Sequence, residues 1–251
     1  MTAAFKDHFS GHAADYRSFR PDYPAALFAY LASAAPGRAL AWDCGTGSGQ
    51  AAVALADHFE KVLATDASAE QLRNAEPHPR VEYAVASAEG CPLPDHAADL
   101  VAVAQALHWF DFDRFYAEVR RVAKAGAVVA AWTYDQHRVN PDVDRVLDRL
   151  QTDFVGVYWP PERGFVNAGY RTIPFPFEEL APPPPFEMTA HWDLPRMLGY
   201  MNTWSATKAY TRARGTNPVE ATAPEFAAAW GDPAAVRTVR WAFHLRAGRV
   251  R

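Results

Sequence analysis

Between Trp42 and Gln50 the chain reads Trp-Asp-Cys-Gly-Thr-Gly-Ser-Gly-Gln, three glycines at alternate positions behind a short apolar run. Glycine reaches dihedrals that other residues avoid and lets a ligand approach the backbone. The pattern therefore predicts a tight turn between a strand and a helix. A dinucleotide fingerprint needs glycine at its first, third and sixth positions. Counted from Gly45, the sixth position is Gln50, so that spacing fails. Asp43, two residues before the first glycine, would repel a pyrophosphate and suits a ligand with a cationic amino group. The amino terminus of the following helix would favour the same ligand's carboxylate. Asp66 ends the next apolar run, seventeen positions after Gly49. A carboxylate there can accept hydrogen bonds from two vicinal ribose hydroxyls. Together these features describe an amino acid joined to a nucleoside.

The alternation around this turn sets the fold class. From Pro24 to about Thr133, short apolar runs alternate with amphipathic stretches, the pattern of a parallel sheet covered by helices. The predicted strands are Ala39–Asp43, Lys61–Thr65, Val81–Val85, Leu100–Ala104 and Ala127–Thr133, with Phe186–Trp192 and Thr238–Leu245 extending the sheet. Ser68 with Gln71, and Asp111, read as helix caps. Phe112, Phe115, Tyr116, Val119 and Val122 recur at helical spacing and should face the sheet. The expectation is one α/β domain over 1–251, a doubly wound, mostly parallel sheet of seven strands. After Thr133 prolines break the chain, and aromatics from Phe154 to Phe177 supply more apolar surface than a linker would carry. A small cap inserted after the fifth strand, about 135–185 plus 194–232, follows from this, and 1–35 is expected to cover the bound ligand.

Strand, D-x-G-x-G-x-G turn, helix, strand and terminal acid in this order resemble the class I S-adenosylmethionine-dependent methyltransferases, particularly the type 11 group. The likeness runs from Asp15 to about Val129. It implies a Rossmann-like methyltransferase fold and S-adenosyl-L-methionine as cofactor, held by Asp43, Gly45, Thr46, Gly47, Gly49 and the ribose-binding Asp66. Ala88 and Glu89 in Ala86–Pro94 correspond to the loop bordering adenine, and Gln105 to a contact with the methionine part. Lys124-Ala125-Gly126-Ala127 departs from the family's usual K-P-G-G, away from the expected methyl group. Two finer segments, Tyr16–Pro24 and Leu107–Asp111, resemble a branch that includes trans-aconitate methyltransferase-like proteins, and imply a small-molecule acceptor.

Several residues are candidates around the methyl group. His108 and Trp109 follow the fourth strand, at the edge where ligands bind in open α/β sheets, and are substrate-pocket candidates; simple packing is the alternative. If the acceptor is a hydroxyl or amine, His108 is the nearest catalytic base; if it is a carboxylate, none is required. Tyr16 and Arg20 could fold over the cofactor, Arg20 pairing with its carboxylate. A carboxylate acceptor would need an Arg in the pocket, from Arg20, Arg163 or Arg171. Tyr200, Trp204, Ser205 and Tyr210 read as core rather than pocket by their spacing.

Bulk properties narrow the partners. The formal net charge of −4 comes without a run of Lys or Arg to neutralise a row of phosphates, which disfavours a nucleic acid. The start carries no basic-then-apolar signal, and no apolar run reaches membrane-spanning length, so a cytoplasmic location without membrane attachment is expected. Cys44 and Cys91 are too few for a disulfide framework and read as reduced, partly buried thiols. His8 and His12 lack a third ligand nearby, so no metal is expected. The oligomeric state stays open. A catalytically silent cofactor-binding sensor and a nicotinamide-dependent oxidoreductase are the competing readings, the second against the glycine spacing.

Overall fold

A computed structural model describes residues 19–181 and 185–251. Tyr16, His8 and His12 lie outside them. The chain starts with α1 (Ala25–Ala34), then β1 (Leu40–Cys44), α2 (Gln50–Ala56), β2 (Lys61–Asp66), α3 (Ala69–Arg73), β3 (Val81–Val85) and β4 (Ala98–Ala104). A 3-10 turn over Leu107–Trp109 leads into α4 (Phe112–Val122), and β5 spans Ala123–Arg138. After it come α5 (Pro141–Arg149), wide helical turns to Tyr158, α6 (Arg163–Asn167), β6 (Glu178–Glu179), β7 (Met188–Trp192), α7 (Leu194–Asn202), α8 (Ser205–Arg214), α9 (Pro218–Trp230) and β8 (Arg237–Arg249).

The strands form one sheet in the order β3-β2-β1-β4-β5-β8-β6, with β7 also on β8. The first five are parallel, and β8 runs antiparallel to β5. β6 pairs with Arg249 and Gly248, whereas β7 pairs with Trp241 to Arg237, so two short segments share the outer edge of β8. Chain order reverses between β1 and β4, the switch point where ligands bind beyond the carboxyl ends of the strands. β4 is buried along nearly its whole length. From Leu100 to Ala104 it reads as an unbroken apolar run because helices cover both faces of the sheet.

One layer packs Phe115, Tyr116, Val119 and Val122 of α4 against Trp42, Val101 and Val129. The other packs Leu27, Phe28 and Leu31 of α1 with Leu55 and Phe59 against Val62, Leu100 and Trp132. Ser68 and Asp111 cap their helices, accepting the N–H groups of Gln71 and Arg114 at 3.3 and 3.2 Å. Phe112, also read as sheet-facing, is only partly buried and meets Phe165 edge-on.

The fifth strand is longer than its sequence suggests. It starts at Ala123 and continues past Thr133 to Arg138, because β8 pairs with it as far as His137↔Trp241 and Arg138↔Arg240. A register shift between Tyr134 and His137 marks a bulge, a device that turns side chains away from the regular alternation. This extension anchors a third apolar cluster, in which Tyr134, Val143, Leu147, Met197, Tyr200, Trp204, Phe226, Trp230 and Trp241 bring α5, α7, α8 and α9 together. No described helix is long and apolar enough to cross a membrane.

Candidate active site

The glycine turn crosses the carboxyl edge of β1 and β2. The backbone N–H groups of Gly45 and Thr46 both donate to the Thr65 carbonyl, at 2.8 and 3.0 Å. Gly45 has φ +71°, and a Cβ there would stand 2.6 Å from that of Ala106; at Gly49, with φ +83°, it would collide with the Tyr83 hydroxyl. Gly47 differs: φ is +56°, yet a Cβ would meet nothing within 4 Å. Its outer side is an open cradle. Gly47 donates its N–H to Asp66 Oδ2 at 2.9 Å, and Ser68 donates to Oδ1 at 2.8 Å, so the acid ending β2 is aimed at the loop.

Asp43 lies beneath the loop, fully buried. The Thr46 hydroxyl donates to its Oδ2 at 2.5 Å. Burial is the main cause that pushes its pKa up to about 7, partly offset by that hydroxyl and raised further by the nearby Asp66. α2 is a short helix of seven residues, and Gln50 at its start donates to the Pro21 carbonyl and to Asp22 Oδ1 at 2.9 and 3.0 Å. The segment before α1 is thereby tied to the loop. Ala88 is buried, and Glu89 Oε1 accepts the Asp111 N–H at 3.2 Å, joining the loop after β3 to the one before α4.

Gln105 follows β4 with φ +56°, a left-handed conformation unusual for a long side chain. Such strain persists only where surroundings over-determine it. Here the Gln105 N–H donates to the Trp132 carbonyl at 3.0 Å, Nε2 donates to the Tyr134 carbonyl at 3.2 Å, and Oε1 accepts the Thr133 hydroxyl at 2.5 Å.

Beyond Gln105 opens a cavity of about 80 Å³. Arg20, His108, Trp109, Tyr134, Asp135 and Gln136 line one part, and Trp159, Arg163, Tyr200, Trp204 and Ser205 another. The late aromatic group thus does more than its spacing suggests: Tyr200 and Trp204 belong to the third core cluster and also wall the cavity. Arg171 is exposed and does not line it. Arg20 donates to the Tyr134 hydroxyl at 3.1 Å and lies 5.3 Å from the centre of the Tyr200 ring. Arg163 stacks on Trp159 at 4.5 Å, with weak donation to Asp135 Oδ1 at 3.3 Å and a bond to Asn167 Oδ1 at 3.0 Å. Burial lowers the Arg163 pKa, opposed by the Asp135 carboxylate.

His108 is buried, its Nδ1 2.8 Å from the Tyr170 hydroxyl. Burial first, and the Arg163 charge second, pull its pKa down to about 3, so the ring is neutral at pH 7. Tyr170, counted from sequence only as cap surface, is therefore part of the site; no local pattern distinguishes it from its aromatic neighbours. The structure places Gln105, His108, Trp109 and Arg20 at the cavity, and Asp43, Gly45, Thr46, Gly47, Gly49 and Asp66 at the adjoining loop.

Comparison with known proteins agrees with this geometry. Residues 42–131 match the family model described as a methyltransferase domain. A methyltransferase-family protein of Dictyostelium discoideum is 34% identical over 213 residues, covering 83% of this chain and 81% of its own. A solved structure from Anaeromyxobacter dehalogenans, assigned as a type II methyltransferase, is 52% identical, with a TM-score of 0.86 over 92% of this chain and 98% of that one. A methyltransferase-like structure from Anabaena variabilis shares the fold at 18% identity and a TM-score of 0.56, over 88% and 97% of the two chains. On the strength of the turn, the switch-point sheet and these relatives, the chain belongs to the class I S-adenosylmethionine-dependent methyltransferases.

Proposed function

We propose that this protein transfers a methyl group from S-adenosyl-L-methionine to a carboxylate oxygen of a small cytoplasmic molecule. The cofactor's fit rests on the open cradle at Gly47 and on the donor set around it. Asp66 would accept the ribose hydroxyls, Gly45, Gly47 and Gly49 would give the backbone clearance, and Ala88 with Glu89 would border the adenine. Gln105, which lines the cavity, would reach the amino-acid part. When bound, the cofactor supplies an electrophilic methyl group on a sulfonium.

The observation that carries the acceptor class is the charge of Arg163. Its guanidinium lines an aromatic cavity and is mostly buried, while its donation to Asp135 is weak. A buried cation with an incompletely engaged counter-ion is costly. An acceptor carboxylate would offset it, with Arg20 also lining the cavity and with Trp159, Trp204 and Tyr200 covering the apolar body of the molecule. A carboxylate is already ionised at neutral pH, which agrees with a cavity whose histidine is held neutral and poorly basic.

A screen of small carboxylic acids, phenols and amines with labelled cofactor tests this. Transfer to an acid, with KM rising about 10- to 100-fold in Arg163→Met and unchanged in Arg171→Met, is expected. Transfer confined to amines would overturn the reading, and cofactor binding without turnover on any acceptor would favour a sensor.

A further inference from the structure

The hydrogen bond between His108 and Tyr170 decides what the histidine can do, and its direction can be read from the surroundings. Tyr170 is almost wholly buried, and its hydroxyl lies 2.8 Å from His108 Nδ1. The neighbouring groups aimed at the phenol oxygen, the backbone N–H groups of His108 and Leu107 and the Thr133 hydroxyl, all favour negative charge on it. The two backbone N–H groups can only donate, and the Thr133 proton is already committed to Gln105 Oε1, so His108 Nδ1 at 2.8 Å is the phenol's best-placed acceptor. A buried phenol that donated to nothing would lose a hydrogen bond's worth of free energy. Its proton therefore points to Nδ1. A neutral imidazole with an accepting Nδ1 carries its proton on Nε2.

Tyr170 is held firmly for this purpose. It has φ +60°, directly after Gly169 at φ +58°. Its N–H donates to the Phe165 carbonyl at 2.9 Å, and Arg246 from β8 donates to its carbonyl at 3.2 Å and to that of Ile173 at 2.6 Å. A bulky residue in the left-handed region is strained and persists there only where the fold enforces it. Here α6 and β8 together enforce it, and the result is a hydroxyl delivered to one nitrogen of one cavity-lining histidine.

We propose that Tyr170 is a positioning residue that fixes His108 in its Nε2–H tautomer, so that His108 gives a hydrogen bond to the acceptor's oxygen and takes no proton from it. This rests on the carboxylate reading above for the identity of that oxygen. The tautomer itself is a property of the ligand-free protein. A donor at Nε2 and the guanidiniums of Arg20 and Arg163 together would orient one carboxylate oxygen while the other stays available to react. The same donor would disfavour a cationic amine, which has no lone pair to receive it.

Ring-nitrogen NMR of the labelled protein, with the His108 signals assigned by their loss in His108→Gln, reads the tautomer without any substrate. The expected spectrum has an unprotonated Nδ1 and a protonated Nε2 in the parent, and a mixture of the two tautomers in Tyr170→Phe. Activity supplies the second readout. Tyr170→Phe should lower kcat/KM for the acceptor about tenfold, the worth of one hydrogen bond, with unchanged affinity for S-adenosylhomocysteine and an unchanged far-ultraviolet spectrum. His108→Gln keeps an N–H near the Nε2 position and should retain at least about ten times the activity of His108→Leu. A protonated Nδ1 in the parent would overturn the proposal. So would a base-dependent limb between about pH 5 and 8 that vanishes in His108→Gln. If no carboxylic acid is methylated, the acceptor reading falls, and the ring-nitrogen spectrum still decides the role of Tyr170.

Discussion

The Gly47 N–H donates to Asp66 Oδ2 at 2.9 Å, so the most open residue of the glycine turn and the acid that ends β2 form one unit. The carboxylate shapes the loop, holding the Gly47 N–H on one oxygen and the Ser68 N–H on the other.

Replacing Asp66 should therefore cost more than a ribose contact. Asp66→Ala removes the acceptor proposed for the two ribose hydroxyls and releases the Gly47 and Ser68 N–H groups. A charged acceptor lost from such a site weakens binding by about 1–3 kcal/mol. Asp66→Asn, which still accepts on one oxygen, should fall between the two. Calorimetric titration with S-adenosylhomocysteine measures both, and equal affinity in all three proteins would remove Asp66 from the cofactor site.

At Gly47 a side chain has room but the wrong backbone. With φ +56° and nothing within 4 Å of a Cβ, Gly47→Val puts a branched group into the open cradle and imposes a strained conformation. Cofactor binding should be lost, while the melting temperature falls only by what strain of about 1–2 kcal/mol explains. Gly49→Ala is the contrast: its methyl would press on the Tyr83 hydroxyl, which is bonded to the Glu76 carbonyl, so stability should drop with it. A Gly47→Val protein that binds cofactor normally would contradict the cradle.

How legible all this is depends on whether local chemistry or distant pairing sets each feature. Strands β1, β2 and β4 show as apolar runs because both their faces are covered. The end of β5 does not, since Tyr134-Asp135-Gln136-His137-Arg138 is polar, and only pairing to β8 keeps it extended. β6, two glutamates long, has no period to detect. The glycine turn announces itself through residue types that only such a turn requires. Gln105 announces nothing of its conformation: a glutamine in the left-handed region is imposed by Trp132, Thr133 and Tyr134 from the neighbouring strand. Tyr200 and Trp204 read as core because helical spacing reports burial, and a residue that packs on one side and walls a cavity on the other gives the same signal.

The buried Asp43 should make the loop a source of instability at high pH. Its pKa rises from an ordinary 3.8 to about 7 on folding, mainly by burial. The folded state thus holds a proton that the unfolded chain gives up between these values. Any stability from this group is complete below pH 3.8 and is lost as pH rises through about 7. Asp43→Asn keeps an acceptor for the Thr46 hydroxyl without the charge. It should be more stable than the parent at about pH 8 by a few kcal/mol, since each pH step between the two pKa values contributes about 1.4 kcal/mol, and the gap should shrink as pH falls towards about 5. Denaturant titrations at both pH values check this; a gap that is constant or grows on acidification would show that Asp43 is ionised throughout.

His137 should act in the opposite direction. It is fully buried between Tyr200, Trp204 and Trp241, with ring centres 5.4 to 6.0 Å away, and neither ring nitrogen has a hydrogen-bond partner among the described residues. Burial, with a smaller push from Arg138, pulls its pKa from 6.5 down to about 3. Unfolded chains therefore take up a proton between pH 6.5 and about 3 that the folded protein refuses. Stability is complete above pH 6.5 and falls as the pH drops through this window. At pH 5 the loss from this one group is about 2 kcal/mol. His137→Phe has a ring of similar size and no nitrogen to protonate, so it suits the aromatic box and removes two unsatisfied polar atoms. Melting temperatures measured from about pH 7.5 to 5 should decline more shallowly in the variant than in the parent, with the two curves diverging below about pH 6.5. Parallel curves would mean that His137 gains a partner on acidification, and that the third core cluster opens far enough to let water reach it.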